Sequence, residues 1–354
     1  WTAISPDLTS NDPEKQKQAE SGGLTIDATQ AENHCTILCI APNPRREGEI
    51  WVGTDDGRLQ HTLDGGETWK DHTVDIKRFP TGAWIPQIHV SSHDPDEVYV
   101  VVNDYRRNNW QPYLYRTKDA GDTWVRLVMD GGDVTGHCLS VAQDPVSPSL
   151  LFLGTEEGLF VSFDRGTNWN RWTHDIPSVP VRDMVVDPRD GDLILGPFGR
   201  AAYVIDDLAP LRALAEDGNA AFERTLHVFD VADAFQVNYR RPLGARFTAD
   251  HDWEGENRRS GARIQYYVHP DSAESYGTDD LRWAVLDAQG DTVRNGGMDA
   301  EAGLQSMWWR FDANGIPWPG RDIQKKQKFP SGGGPEAMPG EYRIALNMGD
   351  HSSS

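Results

Sequence analysis

Basic residues are scarce in this chain. Lys and Arg number 34 against 55 Asp and Glu, a formal net charge of −21 over 354 residues. Without a basic stripe to offset that acidity, a phosphate backbone is repelled, so nucleic acid is not an expected partner. Long apolar runs are missing too. Nothing approaches the roughly 18 residues of a membrane span, so no such span is expected. Cysteine is rarer still, with Cys35, Cys39 and Cys138 only, too few for a disulfide framework. "HCTILCIAP" reads as a strand holding Cys35 and Cys39 on one face, roughly 13 Å apart and too far to bridge. No Cys/His pattern accompanies them, so zinc is not expected and all three read as buried, inert thiols. The first residue is Trp and no signal peptide is visible, which points to a processed product or a piece of a longer chain.

Aromatic residues are plentiful, with 13 Trp, and suit a β-rich protein. A box of the form Ser/Thr-x-Asp-x-Gly-x-x-Trp occurs three times: "TLDGGETW" at 62–69, "TKDAGDTW" at 117–124 and "SFDRGTNW" at 162–169. The box tryptophans are 55 and 45 residues apart. Before each box stand an alternating strand closed by an Asx-Pro turn and an apolar strand interrupted by a turn. After each comes a short outer strand, as in "WKDHTV", "WVRLVM" and "WNRWT". Four antiparallel strands per unit make one blade of a β-propeller. Residues 181–207 read as a fourth unit with the box eroded. "WTAISPDLT" reads as the last strand of another blade.

Each box belongs in the hairpin between the third and fourth strands. Asp64, Asp119 and Asp164 are expected to accept hydrogen bonds from turn N–H groups. Gly66, Gly121 and Gly166 supply positive φ. Thr62, Thr117 and Ser162 tie the strand end to the turn, while Trp69, Trp124 and Trp169 pack between blades. These residues are therefore read as scaffold, with no catalytic role.

The architecture expected is all-β, with blades followed by a sandwich. Residues 1–225 form a partial propeller, the last strand of one blade plus about four blades, with a short capping helix at 208–216. Residues 226–354 form an immunoglobulin- or fibronectin-like β-sandwich, whole or truncated, from strands at 261–268, 281–295, 303–312 and 338–348. The Pro/Gly-rich stretch 315–340 reads as a long loop and "HSSS" as a tail.

With these elements in view, the chain resembles the secreted bacterial sortilin-like BNR/Asp-box repeat proteins, often labelled glycosyl hydrolases. Gly199, Arg200, Asp206, Asp207, Pro210, Leu211 and Arg212 match the stretch closing the family's propeller. Glu256, Asn257, Gly261, Ala262, Ile264, Tyr266 and Tyr267 match a following strand, and Gly303, Leu304, Trp309 and Arg310 another. The family's Thr-His before Gly-Arg is Pro197-Phe198 here, so any role of that His is absent. The resemblance implies a longer parent protein and an extracellular or periplasmic setting; no phosphate loop or redox motif is apparent in the sequence, so no cofactor is expected. The glycosyl-hydrolase label derives from shared boxes that are not active sites, so fold likeness does not give function.

Two functions are weighed. The first is a non-catalytic module binding a protein, peptide or glycan, with the rest of the propeller supplied by the same longer chain or another subunit. Its candidate contacts are Arg58, Tyr105, Arg106, Arg107 and Trp110, joined by Asp55, Asp56, Glu156 and Glu157. The stretch 103–113, "NDYRRNNWQPY", is read as a long loop rich in hot-spot residue types, against the plainer reading of a solvated loop. The second is a glycoside hydrolase, which needs two carboxylates roughly 5–9 Å apart. Asp55/Asp56 and Glu156/Glu157 are its weak candidates, although acidic residues before Gly also simply favour a hairpin turn. A sialidase site would need an arginine triad, and Tyr203 after Arg200 is not enough. Asp187, Asp190 and Asp192 have calcium-like spacing but lack the rest of a calcium loop, so a plain turn is expected and no metal. His34, His89 and His137 read as core or channel-lining residues.

Overall fold

The computed structural model describes residues 2–17, 34–236, 259–273, 275–276, 280–315 and 333–354. Trp1, Glu256, Asn257 and positions 316–332 of the Pro/Gly-rich stretch lie outside the described residues. The chain divides into two compact units, Trp1–Glu216 and Asp217–Ser354. The division falls a little before the boundary read from composition, at the end of the helix that closes the first unit's core.

The first unit is a row of antiparallel blades. Blade 1 comprises β1 (Ile37–Pro42), β2 (Ile50–Thr54), β3 (Leu59–Thr62) and β4 (Lys70–Asp71), and blade 2 comprises β5 (Trp84–Val90), β6 (Val98–Asp104), β7 (Asn109–Thr117) and β8 (Val125–Arg126). Blade 3 comprises β9 (Cys138–Gln143), β10 (Leu151–Thr155), β11 (Gly158–Ser162) and β12 (Asn170–Arg171). Blade 4 has three strands, β13 (Val181–Val186), β14 (Leu193–Pro197) and β15 (Tyr203–Ile205). Every ladder is antiparallel between sequence neighbours, as short hairpins require. The first strands β1, β5, β9 and β13 touch in succession and form the inner edge.

Blades stack through apolar rows. Trp51 and Leu59 of blade 1 meet Ile88, Val100 and Tyr115 of blade 2. Tyr99, Val101 and Leu114 on its other face meet Val141, Leu153 and Phe160 of blade 3. Phe152 and Val161 then meet Met184 and Leu195 of blade 4. Strands buried on both faces explain the unbroken apolar runs "VYVVV" and "LLFL", and each fully buried large side chain stabilises by about 1.5–3 kcal/mol. Helix α1 (Ala209–Asp217) packs Leu211 and Ala215 on the third of these clusters. Its Arg212 forms a forked ion pair with the buried Asp144 carboxylate, Nη2 to Oδ2 at 2.8 Å.

Three local readings are corrected. Over residues 2–9 the expected outer strand is not formed, because side chains of blade 1 take the segment's polar groups in place of a ladder. Trp69 Nε1 lies 3.4 Å from Ile4 O, and Ser10 N donates to Asp56. Cys35 is not in the strand that holds Cys39. It precedes β1 with φ 65°, since Thr36 is bound through its N–H and hydroxyl to Asp55. The stretch 103–113 is mostly ladder: β6 runs to Asp104 and β7 starts at Asn109, with a 3-10 turn, Tyr105–Arg107, between them.

The second unit is a sandwich of two antiparallel sheets. One contains β16 (Leu226–Val228), β17 (Ala262–Val268) and β20 (Gly303–Trp309), and the other β18 (Leu281–Leu286), β19 (Thr292–Met298), β21 (Arg343–Met348) and β22 (His351–Ser353). A short helix, α2 (Pro270–Ala273), follows β17. Ile264, Tyr266, Val268, Val285, Leu346 and Met348 fill the space between the sheets. The "HSSS" tail is not a tail: β22 pairs with β21 from Leu346 to Met348, and Ser353 Oγ accepts from Val228 N. Its polar composition hides a strand that draws its stability from main-chain pairing.

Candidate functional site

The three boxes fold alike. In the last one Asp164 accepts from Ser162 Oγ at 2.8 Å, from Thr167 N and Asn168 N at 3.0 and 2.9 Å, and from Asn168 Nδ2. Asp64 and Asp119 repeat the pattern with Thr68 and Thr123 as donors. Hydrogen bonds from Thr68 and Thr62 hold the Asp64 carboxyl below the ordinary range. At Asp119 and Asp164 burial pushes upward, yet the turn donors outweigh it and both carboxyls are also lowered. The box glycines have φ of 102°, 95° and 83°. Trp124 and Trp169 lie against the interblade clusters, each with its Nε1 on the carbonyl of the box glycine.

A cavity of about 410 Å³ opens at the starts of the inner strands. It is lined by Trp84, Gln87, Asn103, Tyr105, Arg106 and Arg182, with Leu38, Pro86, Leu139 and Asp183. Strand starts converge here because β1, β5, β9 and β13 run side by side. The 3-10 turn after β6 then folds Tyr105 and Arg106 over the opening.

Arg106 places its guanidinium carbon 3.2 Å from the Trp84 ring centroid and 4.5 Å from that of Tyr105. Tyr105 in turn stacks on His137 at 4.4 Å, with Trp110 edge-on to the same imidazole at 5.7 Å. His137 is buried, and burial first, then the Arg182 and Arg106 charges, lowers its pKa to about 4. At neutral pH it is an uncharged ring beneath two cations. Several polar atoms here have no hydrogen-bond partner among the described residues: Trp84 Nε1, Asn103 Oδ1 and both His137 nitrogens. Asn103 is only 4% exposed, so a bare carbonyl oxygen there costs about 1–3 kcal/mol until something donates to it.

Of the residues singled out in the sequence, Tyr105 and Arg106 line this cavity and Trp110 flanks it. Arg107 is held by Asp104, Nε to Oδ1 at 2.6 Å, and Arg58 by Asp71 at 2.8 Å. Both carboxylate oxygens of Asp55 accept from Thr36, at 2.8 and 2.9 Å. Asp56 accepts from Ser10 and Thr54; burial pushes its pKa up, but these hydrogen bonds prevail and hold it low. Glu156 lies 3.7 Å from His137 Nε2, and the Glu157 side chain is exposed. The blade 1 pair is thus spent on fastening its own strands.

Asp187, Asp190 and Asp192 occupy the β13–β14 turn. Arg189 pairs with Asp190 at 2.6 Å, and Asp192 Oδ1 accepts from Asp207 N at 2.8 Å. Among the described residues no cluster of three metal-ligating side chains is present. His34 is buried beside the Cys35 sulfur, and His89 lies near Tyr99 with its pKa lowered to about 4 by burial. Burial pushes the Cys39 and Cys138 thiols up to about 12, while Cys35 is half-buried. Tyr203 packs into the cluster beneath α1.

Trp84, Gln87, Asn103 and Arg182 were not singled out by sequence reasoning. Their common signal is position, since each lies at the inner end of a blade's first or second strand.

No family model matches the chain. It is 30% identical over 145 residues to an oligoxyloglucan-reducing end-specific xyloglucanase of Emericella nidulans, a match spanning 39% of this chain and 17% of that protein. Among solved structures it is similar to YCF48 bound to D1 peptide, with 18% identity, a TM-score of 0.37, and 48% and 51% of the two chains covered. A xyloglucanase from Xanthomonas campestris aligns with 16% identity and a TM-score of 0.38 over 51% of this chain and 30% of that one. The chain therefore spans about half or less of these proteins. Its own fold class rests on its strand ladders: stacked propeller blades, then a β-sandwich.

Proposed function

We propose that the chain is a non-catalytic, extracytoplasmic Asp-box propeller module of the sortilin-like BNR kind, and that the inner-edge cavity binds a protein, peptide or glycan. The observation that carries this is the pairing of an Arg106–Trp84–Tyr105 stack with unpartnered polar atoms on Asn103 and Trp84. Flat aromatic faces and guanidinium groups supply contact area and charge. A donor and an acceptor left open in a buried wall call for a ligand that brings both. The box aspartates serve as turn clasps. Glycan arrays and peptide arrays probed with the full chain test this: specific binding lost in Arg106→Ala supports it, and binding untouched by that change contradicts it.

A glycoside hydrolase is the second reading, favoured by the 145-residue match to a xyloglucanase. Of its candidate carboxylates among the described residues, Asp55 and Asp56 are both consumed by hydrogen bonds, which leaves Glu156 and Glu157. Release of reducing sugar from xyloglucan oligosaccharides, abolished in Glu156→Gln, would establish it in place of the first.

A further inference from the structure

Every blade enters the inner edge through the same irregularity. In each, one extra residue on the first strand breaks its register with the second, and Leu38, Pro86, Leu139 and Arg182 fall at that shift. A bulge of this kind re-aims the side chain it adds. Here all four added residues line the inner-edge cavity. Three of them are apolar, and the fourth is a guanidinium.

Charge at this cavity also runs against the rest of the chain. The chain carries −21 overall, yet the lining residues include two guanidiniums, Arg106 and Arg182, against one carboxylate, Asp183. Asp183 turns its Oδ1 to its own chain, accepting from Met184 N at 2.8 Å. Arg106 is stacked on Trp84 and Tyr105. Arg182 has only the exposed Phe198 ring, 5.4 Å from its guanidinium carbon. Among the described residues no ion pair or hydrogen bond engages it.

A guanidinium without an anion calls for a carboxylate from the ligand. The wall asks for more than that. Asn103 Nδ2 donates to Cys138 O at 3.4 Å, which leaves its buried Oδ1 to accept from a ligand, while Trp84 Nε1 has a proton to donate. An Asp or Glu side chain reaching in is acceptor-only when ionised, and leaves Asn103 Oδ1 bare. A sugar acid meets every requirement on one ring. Its carboxylate suits Arg182, its hydroxyls both donate and accept, and its ring C–H groups suit Leu38, Pro86 and Leu139. We propose that the cavity takes a uronic-acid residue of an acidic glycan, with Arg182 reading its carboxylate. This rests on the binding role proposed above and names the ligand class for the same site.

Calorimetric titration of the full chain tests it, with oligosaccharides of galacturonate, of alginate and of hyaluronan, each beside its carboxyl methyl ester. An Asp/Glu-rich peptide is the competing probe. At least one uronate series is expected to bind at least about tenfold more tightly than its ester, the worth of a charge-assisted hydrogen bond. Arg182→Gln should bring that acid down to the affinity of its ester. Arg182 is exposed, so the variant is expected to keep the wild-type circular dichroism. No binding of any uronate, acid and ester bound alike, or an acid preference unmoved by Arg182→Gln overturns the proposal. So does tighter binding of the acidic peptide, which would point to a protein partner instead. Esters or peptides that bind without acid preference and are lost in Arg106→Ala would overturn the uronate assignment alone and leave the cavity a binding site. Binding of every probe untouched by Arg106→Ala would remove the cavity's binding role as well.

Discussion

The guanidinium carbon of Arg106 lies over the Trp84 indole, 3.2 Å from its centroid, and joins the turn after β6 to the start of β5. This contact both shapes the cavity and sets its charge. Replacing Trp84 by Ala removes the platform and releases Arg106, whereas Arg106→Lys keeps the charge and loses the plane. Ligand binding is expected to fall by about 2 kcal/mol or more in Trp84→Ala, the size of a hot-spot residue, with a smaller loss in Arg106→Lys. Calorimetric titration of any array-identified ligand measures both.

The box aspartates predict a stability effect without a functional one. Asp164→Ala removes four accepted hydrogen bonds from one hairpin, which should cost about 1–3 kcal/mol in chemical denaturation. Ligand affinity at the inner edge should not change. A loss of binding with unchanged stability would move these residues from clasp to site.

Gly121 has φ 95°, and a Cβ there would fall 2.5 Å from the His72 ring and 2.9 Å from Trp51. Gly121→Ala combines backbone strain with a clash into two rings buried between blades 1 and 2. It is expected to destabilise by more than about 1 kcal/mol, while Gly65→Ala, with open space around it, pays only for its positive φ. Urea midpoints of the two variants, compared side by side, check the difference.

Arg212 holds α1 to blade 3 through the Asp144 carboxylate, whose side chain has no solvent exposure. Truncation to Ala leaves that charge buried, although the N–H groups of Val146 and Ser147 still donate to it. The expected cost is about 3 kcal/mol, at the low end for a broken buried pair. Arg212→Met should cost less than Arg212→Ala, because the stem's packing is kept.

Acid sensitivity follows from three histidines. Burial lowers His72, His89 and His137 to about 4, against an unfolded value near 6.5. The unfolded chain therefore binds more protons between those values. Their contribution to stability is complete above about pH 6.5 and is lost progressively as pH falls toward 4. Below about 3.8 the lowered box carboxylates Asp64, Asp119 and Asp164 continue the loss. Melting temperatures across this range should fall in both windows, and a flat profile from pH 7 to 4.5 would contradict these histidine environments.

Much of the fold was legible because it repeats. The box spacing, the Asx-Pro turns and the alternation in "IHVSSHDP" give strand, turn and order without any tertiary information. Ladders with weak side-chain signals were not legible: "LHV" became a strand by pairing with the distant β17, Leu226 opposite Val268, and "HSS" by main-chain pairing in a tight hairpin with β21. At the site, Tyr105 and Arg106 were visible as residue types concentrated at one turn. Arg182 and Asn103 were not, since nothing local distinguishes an arginine or asparagine in a strand from a solvated one. Only the convergence of four strand starts makes them neighbours.

The decisive measurement is binding of the full wild-type chain and of Arg106→Ala to one glycan array and one peptide array, with sugar release assayed on every bound glycan. A binding module of this geometry retains a defined ligand set, loses it in Arg106→Ala and hydrolyses none of it. Hydrolysis of a bound glycan, or retention unchanged by the variant, would contradict it.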